Sequence, residues 1–247
     1  MSYDAAIELI GVWKRYSTKA IFHGSLREDI VNMFKRNNDS SELRTDEFWA
    51  LRDVRMHVKR GECIGLYGPN GSGKTTILKL ISSVTYPNKG RVIVRGSVAP
   101  LISIGVGFHP DLTGRENIYM NGTILGMTID EVRSRLDEIV EFSELEGRFI
   151  DMPVKKYSAG MYLRLGFSIA AHSPSDILLI DELLAVGDQA YREKCIERIQ
   201  SFRGVRTIII VLHDLELLER VTDRIAFIRN GEIVESPLDA GESPLTV

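Results

Sequence analysis

Gly68-Pro69-Asn70-Gly71-Ser72-Gly73-Lys74-Thr75 satisfies G-x-x-x-x-G-K-[ST] at every fixed position, and its surroundings narrow what the chain can fold into. Cys63-Ile64-Gly65-Leu66-Tyr67 before it is a short apolar run that reads as a buried strand. Thr76-Ile77-Leu78-Lys79-Leu80-Ile81 after it begins a helical pattern. A glycine-rich turn with a chance lysine would not need strand, loop and helix in that order. The three glycines let the backbone bend with its N–H groups pointing inward, at the positive end of the following helix. Lys74 is then expected to reach the β- and γ-phosphates of a bound nucleotide, and the Thr75 hydroxyl to ligate Mg²⁺. The expectation is a nucleoside-triphosphate site over Gly68 to Thr76.

The 247 residues suffice for one large α/β domain or two small ones, and 44% hydrophobic content supplies a core. A net charge of −3 provides no basic field to attract nucleic acid, so none is expected as a partner. Cys63 and Cys195 lie far apart without CxxC or zinc spacing and read as core or surface thiols of a reducing compartment. No apolar run approaches the ~20 residues that span a bilayer. Met1-Ser2-Tyr3-Asp4 has neither the basic nor the apolar region of a signal peptide. A soluble, cytoplasmic protein is expected, with any membrane work done through a partner.

Residues 7–13 read as a first strand, ending in Lys14-Arg15-Tyr16. A polar stretch then runs to about Glu47, with Leu26, Ile30, Met33 and Phe34 at helical spacing. Residues 48–58 read as a second strand and 91–98 as one further β run. Thr113-Gly114-Arg115-Glu116 and Thr128-Ile129-Asp130-Glu131 are capping boxes, each opening an amphipathic helix, and Ser158 starts a third. Strand patterns return at 176–181, 207–212 and 225–229, with a helix over 189–202 between the first two. Asn230-Gly231 closes a hairpin, and the last dozen residues, with Pro237 and Pro244, read as a tail. Alternating β and α elements around a phosphate loop predict a parallel sheet with helices on both faces. The helical block from about 110 to 172 interrupts the alternation and reads as an inserted subdomain.

Ile177-Leu178-Leu179-Ile180-Asp181-Glu182 is an apolar strand ending in two carboxylates. Alone it would read as a strand ending in solvated acids. Downstream of a phosphate loop, Asp181 is expected to hold Mg²⁺ through water and Glu182 to polarise an attacking water as general base. His213 ends the next strand. A lone histidine is more often a structural hydrogen-bonder, but a strand beside that of Asp181 would let it reach the γ-phosphate and the water.

Tyr157-Ser158-Ala159-Gly160-Met161, taken alone, is an N-capped helix start, and S-x-G is common by chance. It stands 84 residues after Lys74 and 19 before Ile177. With it the chain resembles, over essentially its whole length, the nucleotide-binding domain of ATP-binding cassette transporters. The resemblance implies an α/β fold of the P-loop NTPase (RecA-like) type: a parallel sheet core, an antiparallel β subdomain and an inserted helical subdomain. It implies a single cassette over 1–247, with the helical subdomain at about 110–172 and an N-terminal insert at about 17–47. It further implies ATP and Mg²⁺ as ligands and a homodimer in which Ser158, Ala159 and Gly160 grip the γ-phosphate of ATP held by the opposing subunit. By the same resemblance Tyr16 matches the aromatic that stacks on adenine, Asp188 the dimer-contacting aspartate and His213 the switch histidine. Tyr16 also fits a strand-end aromatic packing on the loop.

A narrower resemblance rests on Gly107-Phe108-His109-Pro110-Asp111-Leu112-Thr113-Gly114-Arg115-Glu116-Asn117-Ile118-Tyr119, on the Tyr-Ser-x-Gly-Met form of the signature, and on Phe48-Trp49-Ala50-Leu51-Arg52-Asp53-Val54. These are similar to the ATPases that export lipid-linked polysaccharide: O-antigen, capsule and teichoic acid. That implies a separate integral-membrane permease and a subunit lying peripherally on the inner face of the cell membrane. It also implies the shorter type, without a carbohydrate-binding domain after the cassette. Phe108 and Pro110 are then expected to face the permease, or, on a blander reading, Phe108 plugs the seam between two subdomains. The family usually carries glutamine or glutamate where Leu101-Ile102-Ser103-Ile104-Gly105 stands, so Ser103 could bind Mg²⁺ only through a closer loop or a bridging water. Two rival readings remain: a soluble cassette protein of DNA repair or translation, and a regulatory cassette that binds ATP without turnover. The first would need a long coiled coil or two cassettes, and the second sits poorly with Lys74, Asp181, Glu182 and His213.

Overall fold

The computed structural model describes residues 4–18, 45–101, 107–145, 147–181 and 189–234. The segments that carry Ser103, Glu182, Asp188, the Leu26–Phe34 pattern and the tail lie outside the described residues.

Two sheets form the frame. β1 (Ala5–Ser17), β2 (Glu47–Lys59) and β4 (Lys89–Val94) make an antiparallel sheet in the order β2-β1-β4. β3 (Cys63–Tyr67), β5 (Val98–Leu101), β6 (Ile177–Asp181), β7 (Thr207–Val211), β8 (Arg224–Arg229) and β9 (Glu232–Val234) make the second, ordered β5-β6-β7-β3-β8-β9. Its neighbours run parallel from β5 to β8, and β9 returns antiparallel through the Asn230-Gly231 turn, where φ is 51° and 81°. The residues predicted as one β run, 91–98, divide instead between the two sheets. The break falls at Gly96, whose φ of 133° only glycine adopts without strain.

The helices are α1 (Lys74–Ile81), α2 (Gly114–Ile124), α3 (Ile129–Ser143), α4 (Ala159–His172), α5 (Gln189–Ser201) and α6 (Leu215–Val221). Both predicted capping boxes form: the Thr113 and Thr128 hydroxyls accept from the N–H groups of Glu116 and Glu131, whose carboxylates accept in return. Those returning bonds from Thr113 and Thr128 hold both glutamates below the usual carboxylate range.

Alternation along the parallel strands divides the core. Leu178, Ile180, Ile208 and Ile210 face one side, packed against Leu163, Phe167 and Ala170 of α4, Cys195 and Ile199 of α5, and Leu218 of α6. Ile177, Leu179, Ile209 and Val211 face the other, against Ile77 and Ile81 of α1 and the small sheet's Ile7, Leu9 and Val54. A third cluster, Ile118, Val132, Ile139, Leu165 and Ile169, belongs to the helical block. α4 therefore serves two cores at once, with Leu163 and Phe167 toward the sheet and Leu165 and Ile169 toward α2 and α3. Cys63 and Cys195 are both buried, and burial pushes each thiol up to about 12, so neither is a reactive thiolate at neutral pH.

Candidate nucleotide site

The site lies past the C-terminal ends of the parallel strands, where open α/β sheets place their ligands. β3 delivers Gly68 at its end, and the turn to α1 is held from two sides. The Gly231 N–H donates to the Ser72 carbonyl at 3.0 Å, and the Arg52 N–H donates to the Gly231 carbonyl at 2.8 Å. Pro69, Asn70 and Gly71 form the exposed outer arc of the loop. Gly73, the N-cap of α1, has φ 114°, and a Cβ there would lie 2.6 Å from Leu51 Cδ2. Lys74 is 5% exposed, and its Nζ donates to the carbonyls of Gly68 at 2.7 Å and Pro69 at 3.0 Å, curling back over the loop.

Among the helices whose N-cap is described, α1 stands apart in how its first turn is satisfied. α2, α3, α4 and α6 each have a Thr, Ser or Asp side chain accepting a first-turn N–H. α1 has no capping side chain and no acid in its first turn, so the N–H groups that include those of Thr75 and Thr76 keep their capacity for an anion. The Ser72 hydroxyl, 4% exposed, has no hydrogen-bond partner. A buried orphan hydroxyl beside an uncapped helix N-terminus fits a phosphate.

The Thr75 hydroxyl donates to Asp181 Oδ2 at 3.1 Å, although 106 residues separate them and β7 runs between β6 and β3. Hydroxyl and carboxylate oxygens suit a hard cation such as Mg²⁺. Among the described residues no group of three or more His, Cys, Asp or Glu gathers for a metal. Mg²⁺ commonly binds through one or two protein oxygens plus substrate phosphates. Asp181 pairs in register with Val211, so His213, two residues further on, emerges exposed at the same edge.

Tyr16 sits near the end of β1, opposite Phe48 of β2, with ring centroids 6.3 Å apart. Lys14 Nζ lies 5.2 Å from the Tyr16 centroid, and burial holds its amine below the usual lysine range. Nothing in the sequence pattern pairs Phe48, which is 48% exposed, with Tyr16; only the β1–β2 register places them together.

Ser158, Ala159 and Gly160 open α4, with Ser158 Oγ accepting from the Met161 N–H at 3.2 Å. Ser158 and Ala159 are exposed, and among the described residues no hydrogen bond joins them to the phosphate loop. Phe108 is half-buried with its ring centroid 4.6 Å from that of Tyr162 on α4, and both rings pack on the core of the helical block. The loop around it is fixed by two asparagines that sequence reasoning passed over. Asn117 Oδ1 accepts from the His109 N–H, its Nδ2 donates to the carbonyls of Leu112 and Thr113, and Asn121 Nδ2 donates to that of Gly107. Asparagine on the inner side of α2 was the available signal, since a buried amide must find partners.

Comparison with known proteins accords with this geometry. The ABC transporter family model matches residues 51–185, over half of the chain. The O-antigen export system ATP-binding protein RfbB of Klebsiella pneumoniae is 43% identical over 236 residues, 94% of this chain and 93% of that protein. RfbB of Myxococcus xanthus is 47% identical over 81% of this chain, which spans 45% of that relative. The teichoic acids export ATP-binding protein TagH of Lactiplantibacillus plantarum is 41% identical over 93% of this chain and 63% of its own length. A dimeric ATP-binding cassette solved in a post-hydrolysis state with ADP and Pi superposes with a TM-score of 0.73, covering 93% of this chain and 97% of that one. At 23% identity, that likeness speaks for the fold. A phosphate loop, an uncapped α1, Asp181 on the strand beyond β7 and full-length identity above 40% meet in one conclusion: the chain belongs to the ABC transporter family, as an ATP-binding cassette.

Proposed function

We propose that this cassette hydrolyses ATP to drive export of a lipid-linked polysaccharide of the O-antigen or teichoic acid class through a separate membrane permease. The observation that carries the substrate class is identity of 41–48% to cassettes named for those two exports. It would work as a homodimer, in the cytoplasm, on the inner face of the membrane. Among the described residues no helix is long and apolar enough to cross a membrane, so on this reading the permease supplies the channel.

Each residue then has a task. The loop from Gly68 to Gly73 and the first N–H groups of α1, at Lys74, Thr75 and Thr76, cradle the phosphates, and Lys74 turns its ammonium from the loop carbonyls to the β- and γ-phosphates. Thr75 and Asp181 hold Mg²⁺, which when bound neutralises phosphate charge. Tyr16 stacks on adenine. Glu182 takes a proton from the attacking water and His213 holds the γ-phosphate side of that water. Ser158, Ala159 and Gly160 complete the neighbour's site, with Asp188 at the contact between subunits. Ser103 would reach Mg²⁺ only through a closer loop or a bridging water, which leaves the metal chiefly to Thr75 and Asp181.

The test is removal of the chain from its own cell, followed by return of wild type or of Glu182→Gln. Wild type should restore surface polysaccharide. Glu182→Gln keeps the shape and loses the base, so the purified variant should bind ATP with a turnover lower by ~10²–10⁴, and lipid-linked polymer should accumulate inside. Normal surface polysaccharide without the chain, or with Glu182→Gln alone, would overturn the proposal.

A further inference from the structure

Three helices from two packing units meet at one carboxylate. α3 ends at Ser143, and its C-cap, Glu144, is left-handed at φ 57°. That conformation disfavours any residue with a Cβ, and glycine or asparagine usually fills it. The side chain accepted there reaches outward to both neighbours. Glu144 Oε2 accepts from Arg164 Nη1 of α4 at 2.6 Å, and Oε1 from Lys194 Nζ of α5 at 3.4 Å.

The other contacts close the cluster. Lys194 Nζ donates to the Phe142 carbonyl at 3.1 Å and the Glu141 carbonyl at 3.4 Å, satisfying the last turn of α3, and lies 4.8 Å from the Phe142 ring centroid. The Arg164 guanidinium stacks 4.5 Å from the Tyr191 ring centroid, and the Tyr191 hydroxyl donates to the Arg164 carbonyl at 3.1 Å. Arg164 is 19% exposed and Glu144 41%, so solvent screens the carboxylate side and the weight of the pair lies in where it holds the helices.

Placement gives the cluster its meaning. Arg164 stands six residues into α4 from Ser158. Tyr191 and Lys194 lie in the first two turns of α5, which begins at Gln189, next in sequence to Asp188. We infer that Glu144 is a positioning residue for ATP hydrolysis, tying α4 and α5 together so that the Ser158–Gly160 tip and the start of α5 move as one body. Glycine at 144 would suit the α3 cap better, so the contribution of glutamate lies in what its carboxylate holds. A tip that must meet a nucleotide on another subunit gains from being fixed to the element beside the subunit contact, because each uncorrelated degree of freedom lowers the fraction of closure-competent dimers.

The inference rests on the proposed role of Ser158 and Gly160, so the experiment includes a variant that tests that role. Full-length Glu144→Gly, Lys194→Met and Ser158→Arg would be purified, and their folding checked by circular dichroism and urea titration. Binding of a fluorescent ATP analogue would be measured at high dilution, and ATPase activity across protein concentrations. Glu144→Gly relieves the backbone, so it should fold. Its nucleotide affinity should match wild type, while kcat falls roughly three- to tenfold and the protein concentration for half-maximal specific activity rises by a similar factor. Lys194→Met keeps packing on Phe142 and the Arg164–Glu144 pair, and should shift both in the same direction by less. It decides the matter if Glu144→Gly does not fold. Wild-type kcat and concentration dependence in the folded variants would overturn the inference, and so would a proportional loss of nucleotide binding, which marks a mere scaffold contact. Should Ser158→Arg keep wild-type activity, the role assigned to the tip fails instead.

Discussion

Gly73 shows how one residue joins the two sheets to the site. Its φ of 114° turns the chain into α1, and the space a side chain would need is taken by Leu51 Cδ2 at 2.6 Å and the Ala50 carbonyl at 2.8 Å, both on β2. Gly71 is also left-handed, at φ 78°, but a Cβ there would meet nothing within 4 Å. The two glycines therefore separate conformational strain from steric overlap. Gly73→Ala must bear both and displace the loop that begins α1, so nucleotide affinity should fall by roughly tenfold or more. Gly71→Ala bears strain alone and should lose less. Calorimetric titration of both variants checks the order, and a larger loss in Gly71→Ala would contradict this account of the loop. At this scale the motif was legible, because the G-x-x-x-x-G-K-[ST] spacing is local. The Thr75–Asp181 hydrogen bond and the orphan hydroxyl of Ser72 were not, since both depend on which strands become neighbours.

Elements are legible in the sequence where their signals are local and hidden where partners decide. Thr113, Thr128 and Ser158 each cap the helix expected of them, since a cap needs only the next three residues. The division of 91–98 between two sheets was hidden, because apolar runs lie on both sides of the short Arg95-Gly96-Ser97 break and nothing in the pattern says that they join different partners. The reason appears across the fold: the Asp176 carboxylate accepts from the Ser97 N–H at 2.7 Å and its hydroxyl at 2.8 Å, clamping the turn ahead of β5 to the start of β6. A buried arginine beside that joint ties α4 to β6. Arg206, 8% exposed, donates to the Ser175 carbonyl at 2.8 Å, the Ala171 carbonyl at 3.3 Å and the Ser175 hydroxyl at 2.6 Å, with its guanidinium 4.7 Å from the Phe202 centroid. Arg206→Met leaves the two carbonyls without their donor, while Ser173 and Ser175 still pair at 2.7 Å. The expected cost is about 1–3 kcal/mol of stability, read as a lower urea midpoint. An unchanged midpoint would show that water replaces the guanidinium without loss.

On the scale of the whole molecule, the phosphate loop and the Ser158 tip belong to different packing units: the loop between the two sheets, the tip on the helix shared with the helical block. A site assembled within one chain would bring them together, whereas here the tip is exposed and free of hydrogen bonds to the loop among the described residues. The proposed dimer gives this separation a use, because two-fold symmetry lets each loop meet the other subunit's tip. That makes a prediction about mixtures. Lys74→Ala disables a subunit's loop, and Ser158→Arg disables its tip. In a mixed dimer both lesions fall in one composite site and the other site is intact. With random pairing half of the dimers are mixed, and each holds one good site of two, so independent sites would return roughly a quarter of wild-type ATPase activity from two inactive proteins. Strictly coupled sites would return less turnover, but a mixed dimer would still bind nucleotide at its intact site. ATPase activity and retained nucleotide are therefore measured together on mixed dimers isolated by two affinity tags, where independent sites would return roughly half of wild-type activity. Isolated mixed dimers with neither activity nor retained nucleotide above the single variants would overturn the composite site, as would full activity in Ser158→Arg by itself.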